Sequence, residues 1–181
     1  MRSDREKIAG KVAAETLRLA PGEQHALPDS EETCCFLLVS EGGFLLDYCG
    51  ETMLLNPGSA VLLGSGTGSL APAGSSAAEL TGCRFPAGVL RELKNAAGRD
   101  YAGLFQPGRH TVLYGPVQWA SRVRTLLEMM SSASGEQDYP GPLYLLLILH
   151  YVEQECAAET SDAARPRNEP VEQICAYLSA N

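Results

Sequence analysis

Short β-favouring runs separated by turn residues constrain the fold of this chain more than any other feature. Four such runs, divided by Gly, Asn and Pro residues, occupy residues 34–40, 44–48, 52–55 and 59–63. Their spacing of about 8–12 residues is typical of a small β-barrel or sandwich. Further extended runs are predicted at residues 15–20, 77–85 and 110–114. The sequence therefore predicts a small β-barrel or sandwich that extends to about residue 115.

After residue 115 the hydrophobic period changes from that of a strand to that of a helix. Pro116 opens a predicted helix, because proline is favoured at the first helical position. A second helix is predicted from residue 143 to about 158, and a shorter one lies within the barrel region, between Pro86 and Gly98. The predicted organisation is a barrel over 1–115, a helical hairpin over 116–160, and a linker with the start of a further domain over 161–181.

The predicted helix that begins at residue 143 is apolar on two faces. A helix of this kind must be covered on both faces, and its own domain can cover one of them. The other face is covered either by the preceding helix alone or by a second copy of the chain. We infer a homodimer, although the first alternative stays open at this point. The predicted dimer interface consists of Leu143, Leu146, Leu147, His150 and Tyr151.

Charge and hydropathy exclude two classes of partner for these residues. The net charge of −8 argues against direct DNA binding, because phosphate contacts need clustered Lys and Arg. Residues 1–10 are rich in charged side chains and lack the apolar core of a signal peptide. The longest apolar run, 143–149, is far shorter than the roughly 20 residues that span a bilayer. A cytoplasmic protein with no membrane partner is expected.

No catalytic or metal-binding residue is predicted, so we expect neither an enzyme nor a cofactor. His25, His110 and His150 fall in different predicted elements, and the six cysteines form no Cys-x-x-Cys pair. Most of these cysteines alternate with apolar residues and are predicted to be buried free thiols. The glycine-rich stretch 64–69 lacks the lysine of a phosphate-binding loop and is predicted to be a barrel-edge loop.

Two stretches of the chain carry a resemblance to a known family. Residues 36–63 contain a strand, a turn, a short hairpin and a Pro-Gly corner, and residues 170–181 place an apolar pair before a Tyr and an aliphatic residue. In this order, with a helical hairpin between them, they resemble the amino-terminal sensor and dimerisation domain of AraC-type transcriptional regulators. One departure is that no His follows 60–63, where many relatives carry one. The resemblance therefore carries over no ligand or metal position.

The resemblance implies a mainly β fold with α-helices, in which a cupin-like double-stranded β-helix barrel is followed by an antiparallel helical hairpin. It also implies a small-molecule effector in the barrel that controls DNA binding. The resemblance further implies that DNA is contacted only through two helix-turn-helix motifs in a carboxy-terminal domain beyond Asn181. Residues 171–181 have helical spacing but are fewer than the roughly 12–15 residues of a stable lone helix, so we expect a fragment of a longer regulator.

Three residues are candidates for an effector pocket. Tyr48 and Trp119 can stack and donate hydrogen bonds, and Arg84 is a strand charge between Cys83 and Phe85 that needs an anionic partner. Alternation along residues 44–48 places Asp47 opposite Tyr48 without showing which face is inside. The alternatives to a sensor are a cupin-fold small-molecule-binding module and a metal-dependent cupin enzyme.

Overall fold

The computed structural model of the chain describes residues 12–27, 32–133 and 140–162, with side chains as far as Gln154 in the last segment. The described strands are β1 (Ala13–Leu19), β2 (His25–Ala26), β3 (Thr33–Glu41), β4 (Phe44–Tyr48), β5 (Glu51–Leu55), β6 (Ser59–Leu63), β7 (Gly68–Pro72), β8 (Ala78–Pro86) and β9 (His110–Tyr114). The helices are α1 (Ala87–Ala97), α2 (Val117–Ser132) and α3 (Gly141–Asp162), with a 3-10 turn at Ala102–Leu104.

The strands form two antiparallel sheets whose inner faces pack on each other as a cupin-like barrel. The five-stranded sheet has the order β1-β8-β3-β6-β9, and the four-stranded sheet has the order β2-β7-β4-β5. The helices contribute to a second core with the other face of the five-stranded sheet. The predicted fold class, a mainly β barrel with following helices, is therefore confirmed.

The five-stranded sheet is covered on both faces, which explains its continuous apolar runs. In β3, Cys35, Leu37 and Val39 point into the barrel, whereas the alternate residues Cys34 and Phe36 point towards the helices. Successive side chains of a strand point to opposite faces, so a strand between two cores needs apolar residues at nearly every position. The same pattern makes all five residues of β6 buried.

The four-stranded sheet is covered on one face only and shows the alternation of a half-buried strand. In β4, Leu46 and Tyr48 are buried in the barrel, and Asp47 points to solvent, where it accepts a hydrogen bond from the Thr52 hydroxyl. This arrangement settles the orientation that the sequence left open, with Tyr48 inside. On the outer face, Leu45 of β4 pairs in register with Leu54 of β5, and both are exposed.

The helix boundaries follow the predicted proline and glycine signals. Pro86 precedes α1, and Gly98 ends that helix in the left-handed region at φ 70°, where glycine is favoured. Pro116 precedes α2 in the same way. The helix α3 begins at Gly141, which is two residues earlier than the sequence predicted. No helix in the described part of the chain is long and apolar enough to cross a membrane.

Several details differ from the sequence-based expectations. The glycine-rich stretch was predicted as a loop, but part of it forms β7, because residues 68–72 pair with β4. The first strand, β1, begins at Ala13, two residues before the extended run predicted at 15–20, and residues 1–11 lie outside the described residues. The predicted linker after Asp162 and the segment 171–181 also lie outside them.

Candidate functional site

The barrel interior is the first place to look for an effector site, and it is filled by apolar side chains. Among the described residues, a cavity of about 20 Å³ lies between the two sheets. Apolar walls include Leu27, Leu37 and Leu70, whereas Glu15, His25 and Arg84 are its polar lining. This volume accommodates about one water molecule. An effector can therefore enter the barrel only if side chains or sheets move apart.

Tyr48 lies at one end of this interior and is held by the backbone. Its hydroxyl donates a hydrogen bond to the carbonyl oxygen of Gly64 at 2.8 Å, and its ring meets the edge of His110 at 6.5 Å between centroids. A Cβ at Gly66 would come within 2.5 Å of the Tyr48 hydroxyl, so only glycine fits there. Burial raises the pKa of Tyr48, and the side chain is a neutral donor at physiological pH.

Arg84 finds its anionic partner within the chain. Its Nε lies 3.0 Å from Oε1 of Glu15, and its Nη2 donates to Oε2 of the same carboxylate at 3.0 Å. Register explains the pairing, because β1 and β8 are neighbours and Ala13 lies opposite Arg84. The Arg84 and Glu15 side chains are 40% and 47% exposed, so the pair lies at the rim of the barrel rather than inside it. A ligand anion at this rim would compete with Glu15.

Trp119, the third predicted pocket residue, lies in α2 on the opposite side of the five-stranded sheet. It is buried in the core between that sheet and the helices, with its ring against Gly115. Its indole Nε1 is buried and has no hydrogen-bond partner among the described residues. The structure thus places Tyr48 and Arg84 on the barrel side of the sheet and Trp119 on the other side. The three residues do not converge on one pocket.

A second and larger space, which the sequence did not indicate, lies outside the barrel. It is a cleft of about 630 Å³. The first turns of α1, the 3-10 turn and the loops at Ser65 and Pro107 border it, and Cys34, Leu90 and Phe105 form an apolar floor. This volume lies within the range of about 300–1,000 Å³ of small-molecule sites. The available sequence signal was the basic, exposed side of the short helix before Gly98.

Charges in this cleft are partly compensated. The Lys94 ammonium lies 2.6 Å from Oδ2 of Asp100. The hydrogen bond from Lys94 and the Ala102 amide hold the pKa of Asp100 below its usual value, so that carboxylate is ionised and neutralises Lys94. Arg91 also lines the cleft, is exposed, and forms no ion pair within the described ranges. Of the cations that line the cleft in the described part of the chain, Arg91 is the one without a charged partner.

The helix α3 carries the third candidate feature, a face with exposed leucines that the described part of its own domain leaves open. Leu145, Ile148, Leu149 and Val152 are 0% exposed and belong to the core beneath the helix. On the opposite side, Leu143 is 56% exposed and Leu147 is 39% exposed. The other residues of the predicted dimer interface, Leu146, His150 and Tyr151, are half-buried beside them. The preceding helix, α2, therefore leaves this face uncovered in the part of the chain that the structure describes.

Three of the four cysteines whose side chains the structure describes are buried free thiols. Burial raises the pKa of Cys34 to about 11 and that of Cys35 to about 12, so these thiols stay protonated and pack as small apolar groups. Cys83 is buried in the same way, whereas Cys49 is exposed. Among the described residues, no cluster of His, Cys, Asp and Glu could hold a metal ion.

Comparison with known proteins relates the fold to that of a transcription regulator. No protein-family model matches the chain, and no curated protein sequence matches it. The chain superposes on an apo point variant of ToxT from Vibrio cholerae with a TM-score of 0.58 and 12% identity, over 94% of this chain and 71% of that one. Unsaturated fatty acid-bound ToxT gives a TM-score of 0.55 and 12% identity, over 93% and 69% of the two chains.

A third ToxT structure, bound to (E)-4-(8-methylnaphthalen-1-yl)but-3-enoic acid, gives a TM-score of 0.53 at 13% identity, over 94% of this chain and 72% of that one. In a further crystal form the match covers only 47% of ToxT. This chain thus spans between about half and seven-tenths of the ToxT chains that it matches. The shared fold extends over the barrel and the helices after it. The fold predicted from the resemblance to the amino-terminal domain of AraC-type regulators, the family of ToxT, is the fold that this chain has.

Proposed function

We propose that this chain is the dimerisation and effector-sensing domain of a cytoplasmic AraC-type transcription regulator. The observation that carries the proposal is the open face of α3, where Leu143 and Leu147 are exposed. The fold that presents this face is similar to that of ToxT. The net charge of −8 disfavours direct DNA binding by this domain, because DNA phosphates need clustered positive charge. In this proposal a separate carboxy-terminal domain binds the DNA. No described residue group favours catalysis or metal binding, and we assign none.

A second copy of α3 is the partner that best fits the open face. Leu143, Leu147, His150 and Gln154 recur every three or four residues and so form one stripe along the helix. Two such stripes can bury each other in an isologous pair, in which each copy contributes the same surface. Fully burying each leucine is worth about 1.5–3 kcal/mol, so four central leucines in the pair supply a substantial share of the association free energy.

The effector would bind in the barrel at the Arg84 end. ToxT structures contain an unsaturated fatty acid and a naphthalenyl butenoic acid, both of which combine an apolar body with a carboxylic acid. The barrel of this chain has apolar walls and one rim guanidinium, Arg84, which suits a ligand of that class. Because the cavity is only about 20 Å³, binding would select a more open barrel, and its differential affinity would shift the population of domain arrangements.

Replacing Leu147 with Glu tests the dimer seam, because the substitution would bury a charge at its centre. The variant is expected to be monomeric at concentrations at which the unsubstituted chain is dimeric, as measured by light scattering after size exclusion. Leu54→Glu is the matched control, since Leu54 is 49% exposed but lies on the outer face of the four-stranded sheet. An unchanged mass for Leu147→Glu would remove α3 from the interface.

The effector site is tested with (E)-4-(8-methylnaphthalen-1-yl)but-3-enoic acid as the probe. The probe should raise the unfolding temperature of the chain, and Arg84→Gln should reduce that shift because the carboxylate loses its guanidinium. Glu15→Gln should increase the shift, because it removes the competing carboxylate. Equal shifts for all three proteins would place the probe elsewhere.

A further inference from the structure

The large cleft outside the barrel has features of a small-molecule site that the proposed barrel site does not explain. Its apolar floor belongs to the core between the five-stranded sheet and the helices, whereas the barrel cavity lies on the other side of that sheet. The two spaces share no lining residue. Any ligand in the cleft would therefore be recognised independently of one in the barrel.

One side of α1 shapes the cleft for a ligand. Gly88, Arg91 and Lys94 follow one another at intervals of three residues and all line it, so they lie on the same side of the helix. A Cβ at Gly88 would meet no atom within 4 Å, which shows that the space at the first turn of α1 is open. The cleft thus has a free wall at Gly88 next to the guanidinium of Arg91.

The charges define the kind of ligand. Lys94 is neutralised by Asp100, which leaves the planar guanidinium of Arg91 to bind a carboxylate through two parallel hydrogen bonds. Arg91 carries a single positive charge, which matches a singly charged anion rather than a multiply charged one such as a phosphate ester. The floor of Leu90 and Phe105 favours an apolar body.

We propose that this cleft binds a small organic monocarboxylate with an apolar body, held by Arg91 and seated on Leu90 and Phe105. The carboxylate lies against Arg91 at the rim, and the apolar body lies towards the floor. Because α1 also contacts α3, occupancy of the cleft stabilises the helical layer that presents the open face of α3. The cleft is thus a second ligand-binding site of the domain, separate from the site proposed in the barrel.

Calorimetric titration of the full chain with 3-phenylpropionate tests this site. The acid is expected to bind at least about tenfold more tightly than its neutral amide, because only the acid pairs with Arg91. Phenyl phosphate is expected to bind no more tightly than 3-phenylpropionate. Absence of any binding of 3-phenylpropionate, or equal binding of acid and amide, would overturn the proposal.

Two variants locate the bound acid. Arg91→Gln should weaken binding by about tenfold or more, whereas Arg18→Gln, an exposed arginine on β1, should leave it unchanged. Gly88→Leu should abolish binding by filling the open wall, and it should raise the unfolding temperature because Leu has a higher helix propensity than Gly. Gly88→Leu therefore separates a blocked cleft from a damaged fold. Full affinity in both Arg91→Gln and Gly88→Leu would contradict the assignment.

The barrel proposal and the cleft proposal fail separately. Arg84→Gln should leave the affinity for 3-phenylpropionate unchanged, because Arg84 does not line the cleft. A loss of affinity in Arg84→Gln but not in Arg91→Gln would move the acid into the barrel. That outcome would overturn the cleft site and leave the barrel sensor standing.

Discussion

Both faces of α3 carry leucines, but the leucines of the two faces have different surroundings. Leu149 on the inner face is 0% exposed, and Leu143 on the outer face is 56% exposed, although both are leucines of one helix. The inner face completes the core of its own domain, where it packs with residues of α2 and the five-stranded sheet. The outer face has nothing comparable to contact among the described residues. The same residue type therefore contributes to folding on one face and is available for association on the other.

Because the two faces have different surroundings, substitutions on them should separate the free energy of unfolding from the free energy of self-association. Substitutions on the inner face should change the free energy of unfolding of the monomer, because they remove packed core atoms. Substitutions on the outer face should change the free energy of self-association, because they alter a surface that only a partner covers. The comparison fails if both faces affect the same measurement equally.

The largest effect is expected for Leu149→Ala. Removing a fully buried leucine side chain should lower the free energy of unfolding by about 2–5 kcal/mol. Urea denaturation in a Leu147→Glu background measures this term without a contribution from association. Leu143→Ala in the same background is the matched control and should cost less than about 1 kcal/mol. Equal losses for the two leucines would show that Leu143 is buried within the monomer.

The next effect concerns self-association. Leu143→Ala in the unsubstituted background should weaken the dimer by about tenfold, because each copy loses part of its buried apolar surface. Sedimentation velocity over a series of protein concentrations gives the dissociation constant. An unchanged dissociation constant would show that Leu143 lies outside the dimer interface and that the interface is limited to the turns around Leu147.

A smaller effect is expected where α2 meets the edge of the outer face. The guanidinium of Arg122 in α2 lies 6.0 Å from the ring centroid of Tyr151, a geometry that supports a cation–π contact. Arg122→Ala should lower the free energy of unfolding by about 0.5–1 kcal/mol and leave the dissociation constant unchanged. Thermal denaturation and sedimentation measure the two quantities. A weaker dimer would show that Arg122 also lies within the interface.

The smallest effect is expected far from α3, at the Arg84–Glu15 pair. Both side chains are nearly half exposed, so water and salt screen the pair. Arg84→Gln should lower the free energy of unfolding by less than about 0.5 kcal/mol, and by still less at high ionic strength. Urea denaturation at two salt concentrations checks this value. A loss that is large and independent of salt would mean that the pair is buried in solution.

Much of the fold could be predicted from the sequence, because its signals are local. Turn residues bound β4 and β6, whose limits the sequence predicted without error, and Pro86 with Gly98 bounds α1. The two apolar faces of α3 were also predicted from spacing alone. β7 could not be predicted, because its five residues carry no clear strand signal and its identity depends on pairing with β4 across the sheet.

The candidate sites were harder to predict, because they depend on which residues meet in space. Arg84 was expected to need an anion, and the register of β1 and β8 brings Glu15 to it. Tyr48 and Trp119 were grouped by chemistry, but the five-stranded sheet separates them. The cleft at Arg91 is bordered by four separate segments of the chain, and no single segment carries a pattern that identifies it.

The most direct test of the central claim is the sedimentation-equilibrium mass of the unsubstituted chain over a series of protein concentrations. If the open face of α3 is a dimer seam, the mass should rise with concentration from that of the 19.3 kDa chain to twice that value and no further. Leu147→Glu should stay at the mass of one chain over the same series. A monomeric mass for the unsubstituted chain at every concentration would contradict the account.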